Sequence, residues 1–279
     1  MYRIVNKKQL NQFATLMEIE APLVADKAKA GQFIIFRIDT QGERVPLTIA
    51  DYNRDAGTIT LIFQAVGQTT TRLSQMNVGD QLLDLVGPLG NPTHFDGAKN
   101  VCVIGGGVGC AIAYPQAKAL FREGARVTVI AGFRSGEHVL LEEELRQVSH
   151  SLFITTDDGS YGEAGFVTTK LQDLIEAGNQ FDLVITIGPV PMMKSVSLLT
   201  KNYGIKTLVS LNPIMIDGTG MCGGCRVTVD GALKFACVDG PDFDGHLVDF
   251  DELMLRNTVY KEIETHRCRL SEGENHADT

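Results

Sequence analysis

No hydrophobic run in this 279-residue chain approaches the ~18 residues that cross a bilayer, and the opening MYRIVNKKQL lacks the apolar core of a secretion signal. Basic charge is also short. The 25 Lys and Arg face 34 Asp and Glu, a net charge of -9 that disfavours nucleic acid and anionic membranes as partners. Six histidines, at 94, 138, 150, 246, 266 and 276, show no pairing that suggests hydrolytic or metal chemistry. Internal repeats and low-complexity segments are missing. These absences predict a soluble cytoplasmic protein, where thiols stay reduced and available to metal. The length suffices for a substantial core and about two domains.

What is present is concentrated between Asp217 and Cys237: DGTGMCGGC, eleven residues, and a further cysteine. The plant-type two-iron site reads Cys, four residues, Cys, two residues, Cys and a distant Cys. Cys222, Cys225 and Cys237 fill its last three places and Asp217 stands in the first. Glycines 218, 220, 223 and 224 suit a loop that must turn its amides toward sulfur. Zinc held by three thiolates and a carboxylate, or a CxxC redox pair, are the alternatives that spacing leaves open. Cys102 and Cys110 read as small buried hydrophobes and Cys268 as a tail thiol.

The texture changes near residue 98. Short strand-like runs over 14–19, 33–38, 45–50, 58–66 and 81–86, parted by turn signals, predict an antiparallel sandwich or barrel over 1–97. Apolar runs at 101–104, 126–131, 152–156, 183–187 and 207–210, alternating with helix-compatible stretches such as 116–122 and 142–148, predict a doubly wound parallel α/β sheet over 98–211. The remainder, 212–279, holds the cysteine loop and an acidic end. After Cys237 there are 11 Asp and Glu against 4 Lys and Arg. Within it Phe250, Leu253, Met254, Leu255, Val259, Tyr260 and Ile263 follow a helical pattern, a helix that either closes over its own domain or meets another subunit.

The first turn of the parallel sheet is Gly105-Gly106-Gly107-Val108-Gly109, where glycine lets the backbone approach a pyrophosphate at a helix start. Such turns also occur in folds that bind flavins, mononucleotides or nothing, and no acidic residue ends the second strand, so if a nicotinamide nucleotide binds here its ribose must be held otherwise. Asp157-Asp158-Gly159 and Gly188-Pro189-Val190-Pro191-Met192 follow the third and fourth strands, at the ends where open sheets bind ligands.

In this order of parts the chain resembles the ferredoxin-reductase type of flavoprotein. Within that type it is similar to the electron-transfer subunits of dihydroorotate dehydrogenase and to the small subunits of electron-bifurcating NADH-dependent ferredoxin:NADP oxidoreductase. The aspartate within DGTGMCGGC is the most specific feature of the latter. The resemblance implies a Greek-key β-barrel FAD domain, an NAD-binding α/β domain and a small iron–sulfur lobe. It implies flavin contacts from Arg44, Pro46, Leu47 and Thr48, with Thr48 near the flavin N5 edge, from Ile62, Phe63 and Gln64, and from Gly67, Thr69 and Thr70. NAD(H) contacts are implied from the 105–109 turn, Asp157, Asp158, Gly188, Pro189 and Met192, with Ile187 where many relatives carry cysteine.

The resulting expectation is an oxidoreductase subunit with FAD, NAD(H) and a 2Fe–2S cluster, and with no catalytic side chain. Flavin converts a hydride into single electrons, and a larger flavin and iron–sulfur subunit completes a heterodimer. A dihydroorotate dehydrogenase subunit is the first alternative, though Asp217 replaces one of its usual four cysteines. A zinc-stabilised nucleotide-binding module without redox activity is the second.

Overall fold

The computed structural model describes residues 1–259. Seven strands make the first sheet: β1 (Tyr2–Gln9), β2 (Ala14–Glu20), β3 (Phe33–Arg37), β4 (Val45–Asn53), β5 (Thr58–Gln64), β6 (Gln81–Leu82) and β7 (Asp84–Leu89). Their order is β6-β1-β2-β5-β4-β3-β7. The β3-β4-β5 meander returns beside β2, which is a Greek key. Residues 81–89 serve both edges, β6 on β1 and β7 on β3, so the sheet curls into a nearly closed barrel. This is why the predicted single run at 81–86 divides into two strands. Ile4, Met17, Ile19, Ile34, Phe36, Leu61 and Phe63 fill the interior. Helix α1 (Pro22–Lys27) lies in the β2–β3 connection and α2 (Gln68–Gln75) follows β5.

The second sheet alternates with helices: β8 (Asn100–Gly106), α3 (Gly109–Arg122), β9 (Arg126–Phe133), α4 (Glu142–Gln147), β10 (Ser151–Thr156), β11 (Glu163–Ala164), α5 (Val167–Glu176), β12 (Leu183–Ile187), α6 (Val190–Asn202) and β13 (Lys206–Ser210). The order is β11-β10-β9-β8-β12-β13, all parallel, so β8 lies where the winding reverses. Its side chains are buried on both faces, as a central parallel strand requires. Val101 and Val103 join one apolar cluster and Cys102 and Ile104 another. The first cluster also holds Ala14, Ala50 and Ile62 of the barrel, which joins the two sheets through shared core.

A hairpin of β14 (Arg226–Val229) and β15 (Ala232–Phe235) follows the cysteine loop. Then β16 (Asp242–Asp244) returns to pair antiparallel with β13. Helix α7 (Phe250–Arg256) begins at Asp249, whose carboxylate accepts the Glu252 N–H at 2.9 Å. Phe250 and Leu253 are buried, and Lys194 of α6 bonds Asp251 at 2.7 Å, so one face of α7 closes over its own domain. The helical pattern at Tyr260 and Ile263 lies outside the described residues. Among those described, no helix is long and apolar enough to cross a membrane.

Candidate functional site

Two of the segments expected at the flavin flank one slot in the barrel. Strand β4 pairs with β5 only from Ile49 onward, while Val45–Thr48 pair with β3 alone. On the other side Gln64, Ile62 and Phe63 stay paired with β2. Beyond the Ile49–Leu61 pair the two strands therefore part, leaving Pro46, Leu47 and Thr48 facing the end of β5. Arg44 stands exposed one residue before β4. The Ile62 and Phe63 side chains point into apolar clusters, so the backbone here and the Gln64 side chain remain to face the slot. Helix α2 starts at its mouth, with Gly67 in the N-cap position. The Thr70 hydroxyl accepts the Val66 and Gly67 N–H groups at 3.1 Å each, a cap that orients the first-turn amides. Thr69 Oγ1 donates to Glu43 at 3.5 Å.

Next to Gln64 opens a cleft of about 1070 Å³ between barrel and α/β sheet. Gly106, Gly107, Val108 and Gly109 line it from the β8–α3 turn, and Gly188, Pro189 and Met192 from the β12–α6 turn. Two long helices thus begin at one cavity, an arrangement that favours a diphosphate. The glycines divide by cause. A Cβ on Gly109 would lie 2.4 Å from the Ile187 carbonyl oxygen, and one on Gly105 would lie 2.7 Å from Cys110. Those two are glycine for packing. Gly107 has φ +57° and open space beside it, so its absent side chain leaves room in the cleft. Ile187 is buried. Asp157 lines the cleft, whereas the Asp158 carboxylate accepts the Ser160 hydroxyl (2.6 Å) and N–H (2.9 Å), bonds that hold its pKa below the usual range. Sequence reasoning misses Ser210 and Asn212, which line the same cleft from the end of β13, because nothing local marks them.

The cysteine loop packs against the barrel. Gly218, at φ +73°, lies so near Leu89 and Ile35 that a Cβ would fall 2.6 and 2.9 Å from their methyl carbons. The Cys225 and Cys237 sulfurs are buried and 3.2 Å apart. Burial and the Cys225 thiol push Cys237 up to about 12. Cys222 is exposed, its sulfur accepting the Gly224 N–H at 3.5 Å. Both Asp217 oxygens accept loop amides, Thr219 N–H at 2.8 Å and Cys222 N–H at 2.7 Å, which lowers its pKa. The four candidate ligands thus fall into two pairs, Cys225 with Cys237 and Asp217 with Cys222. Among the described residues no three of them are gathered into a closed cage. The donor set of three thiols and a carboxylate on a glycine-rich loop fits iron or zinc.

Where barrel, α3 and cysteine lobe meet, Asp242 is buried. Its Oδ2 accepts Thr93 Oγ1 at 2.5 Å and Gln116 Nε2 at 3.5 Å, while Oδ1 and Gln116 Oε1 have no partner. Burial, outweighing the bond from Thr93, pushes its pKa up to about 6. An unfolded Asp titrates near ~3.9, so the folded protein keeps this proton longer, and stability falls as pH rises through the window from about 4 to about 6. Asp242→Asn keeps the shape of the side chain and removes the ionisation. It should raise stability at about pH 7.5 by up to about 3 kcal/mol, and by roughly half as much at about pH 5, which lies inside that window. Urea denaturation at the two pH values measures this; equal shifts at both would contradict the titration.

A Greek-key barrel whose strands β4 and β5 part beyond Ile49, set against a parallel sheet with a glycine turn at a helix start, defines the ferredoxin-reductase-like class of oxidoreductases. Residues 103–198 match the oxidoreductase NAD-binding domain, and residues 212–249 match the iron–sulfur cluster binding domain of dihydroorotate dehydrogenase B. The chain belongs to the family of dihydroorotate dehydrogenase B-type electron-transfer subunits. It is 44% identical to the dihydroorotate dehydrogenase B electron-transfer subunit homolog of Thermotoga maritima, covering 94% of this chain and 92% of that one. It is also 50% identical to an uncharacterized protein in the adh 3′ region of Clostridium beijerinckii, covering 99% and 97%. A chain of the NADH-dependent reduced ferredoxin-NADP oxidoreductase structure superposes with TM-score 0.90 at 43% identity, covering 96% and 97%.

Proposed function

We propose that this chain is an FAD and 2Fe–2S electron-transfer subunit that exchanges a hydride with NAD(H) and passes single electrons to a larger flavin and iron–sulfur subunit. The pattern followed is that of the NADH-dependent reduced ferredoxin-NADP oxidoreductase, a flavin-based electron-bifurcating enzyme that it resembles. FAD supplies the conversion from two-electron to one-electron transfer. The division proposed is 1–97 for FAD, 98–211 for NAD(H) and 212–279 for the cluster lobe. Thiolate ligands persist where thiols are kept reduced, so the compartment proposed is the cytoplasm.

The carrying observation is the position of Phe33. It is the strand partner of Thr48 at the flavin slot, and it packs in one apolar cluster with Cys225 and Cys237. A flavin at Thr48 and a cluster at the cysteines would therefore be separated by one packed layer. Cys225 with Cys237 would hold one iron and Asp217 with Cys222 the other. Asp217 favours this reading over a dihydroorotate dehydrogenase subunit, which the Thermotoga relative's name suggests.

Protein purified without oxygen should contain one FAD, two irons and two labile sulfides per chain; unit zinc without sulfide would overturn the proposal. Thr48→Ala should change flavin reactivity more than flavin content, because one hydrogen bond contributes only about 1 kcal/mol to binding. Complete absence of flavin from wild-type protein made with excess FAD would refute the FAD slot.

The partner surface proposed is the rim of the cysteine loop, where Met221 is 88% exposed beside exposed Ile216 and Val238. Removing all residues after Cys237 would also strip β16 from its sheet, so a surface change is the cleaner test. Met221→Glu should weaken assembly with the larger subunit while retaining FAD and cluster. Unchanged assembly, read by size-exclusion chromatography of the co-expressed complex, would count against this rim.

A further inference from the structure

The tip of the β1–β2 hairpin belongs to the barrel yet is bonded to the α/β domain. Asn11 Nδ2 donates to the carbonyl oxygens of His138 (3.1 Å) and Val139 (3.2 Å), and Gln12 Nε2 donates to Glu137 Oε2 at 2.6 Å. Between them the Phe13 ring lies parallel to the His138 imidazole, with centroids 4.1 Å apart and planes 9° from parallel. Ser135 Oγ and His138 Nδ1, 2.7 Å apart, fix that imidazole from its edge. Phe13 nevertheless remains 36% exposed. A large aromatic face fastened at a hairpin tip and left open is an unusual use of apolar surface.

Beside this stack lies a cavity of about 560 Å³, walled by Phe13 and His138 and carrying Arg134, Glu137, Asp157 and Asp158. It shares Phe13, Arg134, His138 and Asp157 with the main cleft, so the two spaces adjoin. The sheet order decides what can reach it. Strand β8 carries the diphosphate turn, with β12 and β13 on one side and β9 and β10 on the other. A dinucleotide held at that turn has two ends. With its nicotinamide toward β12, Ser210 and the flavin slot, its other end must run toward β9 and β10. That is the side on which Arg134, Glu137, Asp157 and the cavity lie.

We propose that the barrel hairpin forms half of the adenosine subsite for NAD(H), with the Phe13–His138 stack as the wall for adenine and Glu137 and Asp157 facing the ribose. The proposal rests on NAD(H) binding in the main cleft. It gives the ribose the acidic contact that the second strand does not supply. Three carboxylates against one arginine in the cavity suit a 2′-hydroxyl and oppose a 2′-phosphate. Because the wall comes from the barrel, nucleotide binding and the docking of the two domains support each other.

The test compares ADP-ribose, which carries the adenosine half, with nicotinamide mononucleotide, which lacks it, by calorimetry on the FAD-loaded full chain. Phe13→Ala should weaken ADP-ribose about 10-fold or more, as loss of base–aromatic stacking does, and leave the mononucleotide unchanged. Phe13→Leu keeps apolar bulk against His138 and should show the same selective loss. Equal weakening of both ligands, or of neither, would overturn the subsite and leave the hairpin a structural clasp. Loss of FAD from Phe13→Leu with ADP-ribose affinity intact would assign the stack to the flavin's adenine and also overturn it. If wild-type protein bound neither ligand, the NAD(H) cleft itself would be wrong.

Discussion

Cys237→Ser should strip the iron–sulfur chromophore from the protein while leaving FAD in place. Cys237 is buried and its sulfur faces that of Cys225 at 3.2 Å, so the two are placed to act as the ligand pair proposed for one iron. Serine keeps the shape but offers a hydroxyl that does not ionise near neutral pH, and one iron loses half of its protein ligands. Iron and labile sulfide should fall to background in this variant. The flavin is proposed to sit between Val45–Thr48 and the end of β5, whose pairing does not involve Cys237, so flavin content should hold. Reduction of one-electron acceptors by NADH should drop by on the order of 100-fold or more, whereas NADH should still bleach the flavin. Asp217→Cys is the informative partner. A thiolate in place of the carboxylate should keep a cluster and alter its potential, since ligand type and local charge both tune it. An unchanged potential would mean that Asp217 is not a ligand.

Gly107→Leu should abolish reaction with NADH without unfolding the protein. Nothing lies within 4 Å of a Cβ at this position, so the side chain has space in the free protein, at a backbone cost of about 1 to 2 kcal/mol for φ +57°. The space it takes is the part of the cleft proposed for the diphosphate. Two lost charge-assisted hydrogen bonds amount to about 3 to 6 kcal/mol, which places the loss of NADH affinity at 100-fold or more. Gly109→Ala should behave in the opposite way. Its methyl would meet the Ile187 carbonyl at 2.4 Å, a backbone atom that cannot step aside, so destabilisation should dominate. Stopped-flow flavin reduction and thermal melts of the two variants separate these outcomes; a stable Gly107→Leu protein that binds NADH normally would contradict the assignment of the turn.

The parts of the fold that were legible in the sequence are those whose residues face one environment along their whole length. The strands β8, β9 and β12 are buried on both faces over nearly their whole length and read as continuous apolar runs. Strand β1 escaped because it lies near the barrel edge and only Ile4 of YRIVNKKQ is buried. Strand β16 escaped because three residues, DFD, carry no pattern and depend on β13 for their pairing. The cysteine spacing and the glycine turns were visible because cluster and diphosphate each demand particular residues at short range. Phe13 and His138 were invisible for the opposite reason. Their chemistry arises from contact between segments more than a hundred residues apart, which no local window contains. The burial of Asp242 likewise depends on Thr93 and Gln116, brought in from other elements.

The flavin slot, the diphosphate cleft and the paired cysteines make one testable unit, a route from NADH through FAD to a one-electron centre. An anaerobic titration of the purified chain with NADH, followed together by flavin absorbance and low-temperature electron paramagnetic resonance, examines that route in a single experiment. Bleaching of the flavin accompanied by the signal of a reduced 2Fe–2S cluster is the result predicted. A flavin that bleaches with no cluster signal in protein containing iron and sulfide, or a flavin that NADH does not reduce, would contradict it.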